Sequence, residues 1–516
     1  MSTFNAAVWL VDRHVAEGRG DQVAIRCQGR TSTYRDVQRD VFRAQRLLTE
    51  LGIGAGDRVA MVVRDDESFP AIFLGAMRLG AVPVPLSTML NGPELAAIVA
   101  DSGSRVLAVS DVFGSIVPSV LAAGDALESV VVCGDPFAVD ASAGSIKVCA
   151  WADSTVADEM PAASTMSESQ AFWLYSSGTT GMPKGVIHCH GDLPATARSY
   201  AAEVLRTTEA DRFLSIAKLF FAYGLGNSLT FPFAVGATAI LNPDPPTPRA
   251  IADLVVVERP TLFFSSPGFC AALLDADLDP AVFESLRATV TAGEALPANV
   301  HSRFESLTRR PVLDGIGSTE LLHIFISNTL EDRVPGSSGR LVPGYEAELR
   351  DEQGNAVTRE DTPGYLHVRG MSSAVAYHDR PDSSRAAFLE DGWVRTGDVY
   401  TRSADEHWTF LGRNNDMIKA GGIWVSPAEV ESVLVGHESV LEVGVVGYRD
   451  EQGLEGVAAF VVPAAGHTPD PAVLIRYCRD QMAAFKRPRR IVVVESLPKT
   501  ATGKIKRFQL RESLRG

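Results

Sequence analysis

Short apolar runs, bounded by glycine and interleaved with helix-length amphipathic stretches, restrict the folds open to this chain more than any other feature. RVAMVV (58–63), AVPVPL (81–86), RVLAVS (105–110), VVVC (130–133), FWLYSS (172–177), ATAIL (237–241), TLFFSS (261–266) and ATVTAGEA (288–295) follow one another. Between several of them lie stretches such as ESFPAIFLGAMRLG and NGPELAAIVADSG. Apolar runs that alternate with helices belong to parallel strands covered on both faces, so a large α/β domain of doubly wound sheets is expected. That domain is not the whole molecule, because 516 residues exceed the ~250–300 at which a single core stops growing. From about residue 340 the strand candidates crowd together, as YEAELRD, GYLHVRG, GWVRTGDVY and HWTFLGR, in the manner of antiparallel hairpins and a small β-barrel-like part. GRNND (412–416) is polar and suits a linker. Beyond it SPAEVESVLVGH, VLEVGVVGY, GVAAFVVP, PAVLIRYCRDQMAAF and RIVVVESLP read as a small α+β unit of about 100 residues. The expected division is 1–414 and 415–516.

A composition of 46% hydrophobic and 22% charged residues is that of an ordinary folded interior. The formal charge of −15, from 63 acidic and 48 basic residues, comes without a basic tract able to follow a row of phosphates, so nucleic acid is not expected as a partner. Asp12, Arg13 and Glu17 occupy the place where a signal peptide needs its apolar core. The apolar window Leu225 to Leu241 is broken by Asn227, Pro232 and Gly236 and falls short of the ~20 residues a bilayer requires. A cytoplasmic protein without a membrane span is the expectation. Six single cysteines show neither a CxxC pair nor zinc spacing, and are expected to be reduced and buried.

In YSSGTTGMPKG, Gly178, Gly181 and Gly185 allow consecutive backbone amides to turn into one concave nest. The hydroxyls of Ser176, Ser177, Thr179 and Thr180 add donors and Lys184 adds charge, a combination suited to polyphosphate. It is not the kinase and GTPase P-loop, because Pro183 precedes the lysine and no GK[ST] follows. In DGIGSTE (314–320), a glycine-rich turn brings the Thr319 hydroxyl, able to bond an α-phosphate oxygen, beside the Glu320 carboxylate, able to hold Mg²⁺. His188 and His190 lack a third ligand of suitable spacing and are read as structural.

SSGTTGMPKG, AGEALP (292–297), DGIGSTE, GWVRTGD (392–398), GRNNDMIKAGG (412–422) and PKTATGKIKR (498–507) together resemble, in order, the motifs of the adenylate-forming superfamily of acyl- and aryl-CoA ligases, peptide-synthetase adenylation domains and luciferases. The resemblance implies an ATP site built from Ser176, Ser177, Gly178, Thr179, Thr180 and Lys184, from Gly293, Glu294 and Ala295, and from Asp314, Gly315, Ile316, Gly317 and Ser318. It implies Asp398 and Arg413 as ribose contacts, Thr179 and Glu320 at the metal, and Lys504 as a mobile catalytic lysine beside Thr319 and Glu320. Lys499, Lys506 and Arg507 are read as surface or coenzyme-phosphate neighbours. It further implies a small C-terminal domain that turns between two half-reactions, with its hinge at Asn415 and a coenzyme A side carrying Lys419, Gly421, Gly422 and Trp424. The hinge residue is usually an acid or lysine in the family; here Asn415 is followed by Asp416, a departure that bears on the balance between the two orientations.

KLFFAYGLGN (218–227) and GIGSTELLHIFISN (315–328) resemble the corresponding stretches of benzoate–CoA ligases and their hydroxybenzoate and aminobenzoate relatives. An aryl-acid slot is therefore expected from Phe221, Ala222, Tyr223, Gly224, Ala292, Gly317, His323 and Ile326; aromatic walls suit a ring. FFAYGLG carries no aspartate to pair a substrate ammonium. His323 either meets the ring pocket or is a satisfied core histidine, and would share a face with Glu320 were the segment helical. The expected reaction consumes ATP, an aromatic carboxylate and coenzyme A, with Mg²⁺, in a monomer or homodimer. A stand-alone enzyme loading a carrier-protein thiol and an inactive nucleotide-binding homologue are the alternatives.

Overall fold

A computed structural model describes residues 3–123, 126–139, 146–155, 159–176, 182–420, 423–449, 455–499 and 505–514. Two parallel sheets dominate. The first runs Val82–Pro85, Arg58–Val62, Val106–Ser110, Ser129–Cys133, Lys147–Ala150, all parallel. The second has nine strands, with Val23–Cys27, Thr238–Leu241, Arg212–Ser215, Leu262–Ser265, Ala288–Thr291 and Val312–Gly317 parallel through its centre. Antiparallel strands close its edges: Arg30–Thr33 on one side, Ile324–Ser327 and Arg340–Leu341 on the other. Every residue of Val106–Ser110, Ser129–Cys133 and Leu262–Ser265 is buried, which is why these strands read as continuous apolar runs and not as alternating ones.

One run departs from the parallel pattern. Gln170–Ser176 pairs antiparallel with Lys184–Cys189, ending on the register pair Ser176↔Lys184. The connection between them spans only Ser177 to Pro183, too short for the crossover of a dozen or more residues that a parallel pair needs. The two strands thus form the paired stem of a hairpin, closed at Ser176 and Lys184. The stem is anchored in the interior by Phe172, fully buried, whose ring lies 5.6 Å from Phe73 and 5.2 Å from His188.

Tyr345–Arg350, Gly364–Gly370, Val394–Arg402 and Trp408–Arg413 form a four-stranded antiparallel sheet, and a turn at Asn414–Asp416 leads out of it. The C-terminal part is a three-stranded sheet, Val440–Arg449, Glu455–Pro463 and Arg490–Val493. It carries the helices Pro427–Val435, Pro471–Gln481 and Arg507–Ser513. Five of the six cysteines are buried, Cys149 is half-buried, and none is paired. Among the described residues no helix is long and apolar enough to cross a membrane.

In parallel sheets the backbone leaves each strand at its carboxyl end into a loop free to carry chemistry. Here the adjacent strands Leu262–Ser265, Ala288–Thr291 and Val312–Gly317 deliver Ser266, the Ala292–Ala295 stretch and the Ser318–Glu320 stretch to the same edge.

Candidate active site

The Thr319–Glu320 turn is held by its own carbonyls. After Val312–Gly317 the chain makes one 3-10 turn, Thr319–Leu321, passes through Leu322 at φ +66°, and returns as the antiparallel strand Ile324–Ser327. Glu320 and His323 therefore do not share a helical face, because the left-handed residue between them reverses the chain. Gly317 is required at the reversal: a Cβ there would lie 2.5 Å from the His323 carbonyl oxygen. His188 Nε2–H donates to the Thr319 carbonyl at 2.8 Å, Ala374 N–H to that of Glu320 at 2.8 Å, and Ser372 Oγ–H to that of Leu321 at 2.8 Å. At roughly 1 kcal/mol net for each bond, the backbone is fixed and the Thr319 and Glu320 side chains are left to present. His188, fully buried, is steadied on its other nitrogen by Asp192 at 2.7 Å, which is the structural role expected of it; His190 accepts from Ala6 N–H at 3.1 Å.

Ser177, Gly178, Thr179, Thr180 and Gly181 lie outside the described residues; Ser176 and Lys184 flank them on the hairpin. Lys184 Nζ sits 4.9 Å from the centre of the Tyr377 ring, and the Tyr377 hydroxyl donates to Glu320 Oε1 at 2.8 Å. Among the described residues Glu320, half-buried, has no cation within ion-pair distance. Tyr377 was not found by sequence reasoning. It lies on an irregular strap, residues 374–378, zipped along the hairpin by Val375 N–H to the Ile187 carbonyl (3.0 Å), Ile187 N–H to the Ala376 carbonyl (3.0 Å) and His378 N–H to the Gly185 carbonyl (2.7 Å).

Asp398 and Arg413 are register partners on adjacent strands, joined by Arg413 Nε and Asp398 Oδ1 at 3.1 Å, with Asp398 only 3% exposed. Arg413 Nη1 also donates to the Thr396 carbonyl at 3.0 Å. The Asp398 charge, with a smaller contribution from Glu320, holds the Arg413 guanidinium above its ordinary pKa against the opposing effect of burial. The strand pair carrying Asp398 and the turn carrying Glu320 thus face a common region.

Along the adjoining strands Ala292 is buried, while Gly293 (φ +97°), Glu294 and Ala295 are exposed. Gly315 is also closely packed, since a Cβ there would lie 2.9 Å from the Ile326 carbonyl. Ile316, Gly317 and Ser318 are half-buried. Asp314 is 5% exposed and accepts from Thr291 Oγ1 at 2.8 Å; burial pushes its carboxyl up to about 8, so it keeps its proton at neutral pH. A carboxyl with a raised folded-state pKa contributes stability that is present below the unfolded value near 4 and is lost as pH rises through about 8. Asp314→Asn, which cannot ionise, is expected to melt progressively higher than the parent as pH climbs from 4 to 8. The gap should be absent at pH 4 and constant above pH 8 in thermal melts.

The expected aryl residues form an aromatic cluster. Ala222 opens the short helix Ala222–Leu225, and Gly224 is close-packed, since a Cβ would fall 2.0 Å from the Lys218 carbonyl. The Tyr223 hydroxyl donates to the Val290 carbonyl at 3.1 Å, and its ring lies 5.5 Å from His323. His323, 3% exposed, is also ringed by Tyr200 and Phe231 at 5.4 and 4.5 Å, and burial lowers its pKa to about 3. The imidazole is therefore neutral. Its Nε2 lies 3.1 Å from Asn227 Oδ1, and Nδ1 has no hydrogen-bond partner among the described residues. Ile316, Ile326 and Ala292 belong to the same apolar cluster as Tyr223. Phe221 turns to Phe220 at 4.4 Å and is half-buried. Asn227, fully buried, was missed from the sequence because its role depends on a contact 96 residues away.

On the C-terminal side, the Asn415 carbonyl accepts from Arg511 Nη1 at 3.2 Å, and Asp416 is ion-paired with Arg511 and with Arg507. Arg507 is further engaged by Glu431 at 2.5 Å, and Lys499 by Glu442 at 2.6 Å. Lys419 stands 5.0 Å from the Trp424 ring and 3.5 Å from Glu352. Gly421, Gly422 and Lys504 lie outside the described residues.

Comparison with known proteins accords with this arrangement. The family described as AMP-binding enzyme matches residues 12–378, and the AMP-binding enzyme C-terminal domain matches residues 429–504. The chain is 41% identical over 515 residues to a benzoate–CoA ligase of Thauera aromatica, covering 99% of this chain and 96% of that one. Its fold superposes on a benzoate CoA ligase from Burkholderia xenovorans LB400 with a TM-score of 0.89 at 39% identity, covering 98% of this chain and 100% of the other. The corresponding values for an anthranilate CoA ligase solved with anthranoyl-AMP are 0.92 and 36%, covering 99% and 98%.

Proposed function

The chain belongs to the AMP-binding enzyme family, and from that premise we infer that it is an AMP-forming aryl-CoA ligase. An aromatic carboxylate attacks the α-phosphorus of ATP, releasing pyrophosphate; the thiol of coenzyme A then attacks the acyl carbon of the aryl adenylate, releasing AMP. Activation is needed because a free carboxylate repels a thiolate and has no leaving group. The observation that carries this reading is the gathering of Lys184, Glu320, Asp398 and Arg413 about one region, with Glu320 three residues before the neutral, aromatic-walled His323.

In this reading Lys184 and the hydroxyls of Ser176, Ser177, Thr179 and Thr180 bind the phosphates, and Thr319 orients the α-phosphate. Asp398 and Arg413 hold the ribose, while the 292–295 and 314–318 stretches flank the adenine. A single half-buried carboxylate, Glu320, whose Oε1 accepts from Tyr377, fits Mg²⁺, which binds through one or two carboxylates together with substrate phosphates and water. Glu320 and Thr179 would hold it, and its chemistry is to offset negative charge on the phosphate oxygens. Residues 415–516 turn about Asn415 so that Lys504 serves the first step, and Lys419, Gly421, Gly422 and Trp424 face coenzyme A in the second. A cytoplasmic monomer or homodimer suits this chemistry.

Incubation with ATP, Mg²⁺, benzoate and free coenzyme A is expected to give benzoyl-CoA and AMP. Pyrophosphate exchange without thioester would assign the chain to carrier-protein loading, and absence of both with every benzoate tried would discard the ligase reading.

His323 sets the preference among rings. With Nε2–H donating to Asn227, Nδ1 keeps a lone pair that can accept from a hydroxyl or amino substituent. His323→Phe is expected to leave kcat/KM for benzoate within about threefold while lowering that for donor-substituted benzoates about tenfold, the value of one hydrogen bond. Equal losses on all substrates would show that His323 serves only packing.

A further inference from the structure

We propose that Tyr377 is a positioning residue that holds the Lys184 ammonium and the Glu320 carboxylate apart, so that each stays available to the metal–nucleotide; this rests on the reading of Glu320 as the magnesium carboxylate. Two opposite charges, both half-buried and facing one region, attract each other, and a direct ion pair would withdraw both from the polyphosphate before it arrives. Tyr377 occupies the space between them with a different surface for each. The π face lies 4.9 Å below Lys184 Nζ, within the range of a cation–π contact, and the hydroxyl donates to Glu320 Oε1 at 2.8 Å.

The ring is held from several sides. Tyr377 is 8% exposed, its N–H donates to Ser384 Oγ at 3.0 Å, its backbone bridges Val186, and Phe388 packs on it at 5.1 Å. A carboxylate oxygen can only accept, so in this contact the phenol O–H is the donor. Neither contact neutralises its partner. The cation is met by a quadrupole and the anion by a dipole, and both groups keep the full charge an incoming Mg²⁺–ATP needs. Ala374 N–H bonds the Glu320 carbonyl, so the same strap fixes the carboxylate's backbone and its side chain.

The test compares Tyr377→Phe, which keeps the ring and loses the donor, with Tyr377→Leu, which loses both. Each is made in the full chain and in a Glu320→Gln background. Binding of Mn²⁺–ATP is followed by the electron paramagnetic resonance of free Mn²⁺, with melting temperature as a check on folding. Tyr377→Phe is expected to weaken Mn²⁺–ATP binding about fivefold and Tyr377→Leu about twentyfold, and the effect of Tyr377→Phe is expected to vanish in the Glu320→Gln background, as coupled neighbours do. Parent-like binding by both Tyr377 variants overturns the proposal, as does a loss that persists unchanged in Glu320→Gln, which would mark a merely structural role. Should Glu320→Gln itself bind Mn²⁺–ATP as the parent does, the metal reading of Glu320 fails instead, and the two failures are distinguishable.

Discussion

Lys504→Ala is expected to slow aryl-adenylate formation about a thousandfold, close to 4 kcal/mol of transition-state stabilisation, while ATP binding changes little. Negative charge accumulates on the oxygens around the α-phosphorus as pyrophosphate departs, and a cation brought there at that moment acts on the transition state more than on the bound substrate. Lys499 and Ile505 pair across in antiparallel fashion on either side of residues 500–504, and Lys506 N–H bonds the Pro498 carbonyl at 2.8 Å. Pyrophosphate exchange measures the first step. Thioester formation from supplied aryl adenylate and coenzyme A measures the second and is expected to survive within about threefold, because no pyrophosphate leaves in it. Equal losses in both steps, or none in the first, would remove Lys504 from its assigned role.

Glu320→Gln is the second large effect, with adenylation expected to fall at least about a hundredfold and the Mg²⁺ concentration for half-maximal rate to rise. The amide is nearly isosteric and its oxygen can still accept from Tyr377, so what is removed is the charge. Because the turn is tied through the carbonyls of Thr319, Glu320 and Leu321, the side-chain change should leave the melting temperature close to the parent's. A rate and a metal dependence indistinguishable from the parent's would place magnesium elsewhere.

The large parallel sheets, the antiparallel strands after residue 340 and the C-terminal α+β unit were legible because each depends on local apolar periodicity. Val106–Ser110 and Leu262–Ser265 are buried along their whole length and read so. The hairpin of Gln170–Ser176 and Lys184–Cys189 was misassigned to the parallel set, since an apolar run alone does not report the direction of its partner; the short connection did. Glu320 and Lys184 were visible from residue type and neighbours, whereas Asp398 and Arg413 needed the resemblance to a known family. Tyr377 and Asn227 left no local signal. They act through contacts separated by 57 and 96 positions in the chain, and nothing in AVAYHDRP or GLGNSL reports such distant partners. The Glu320–His323 geometry was lost to Leu322, whose positive φ no aliphatic side chain advertises.

The strap at residues 374–378 bonds both the Lys184–Cys189 strand and the Glu320 carbonyl, and this orders events during synthesis. A chain translated only as far as Ser327 lacks the segment that ties the Glu320 turn to the Lys184–Cys189 strand, so the hydrogen bonds joining these two parts form only after the strap has been made.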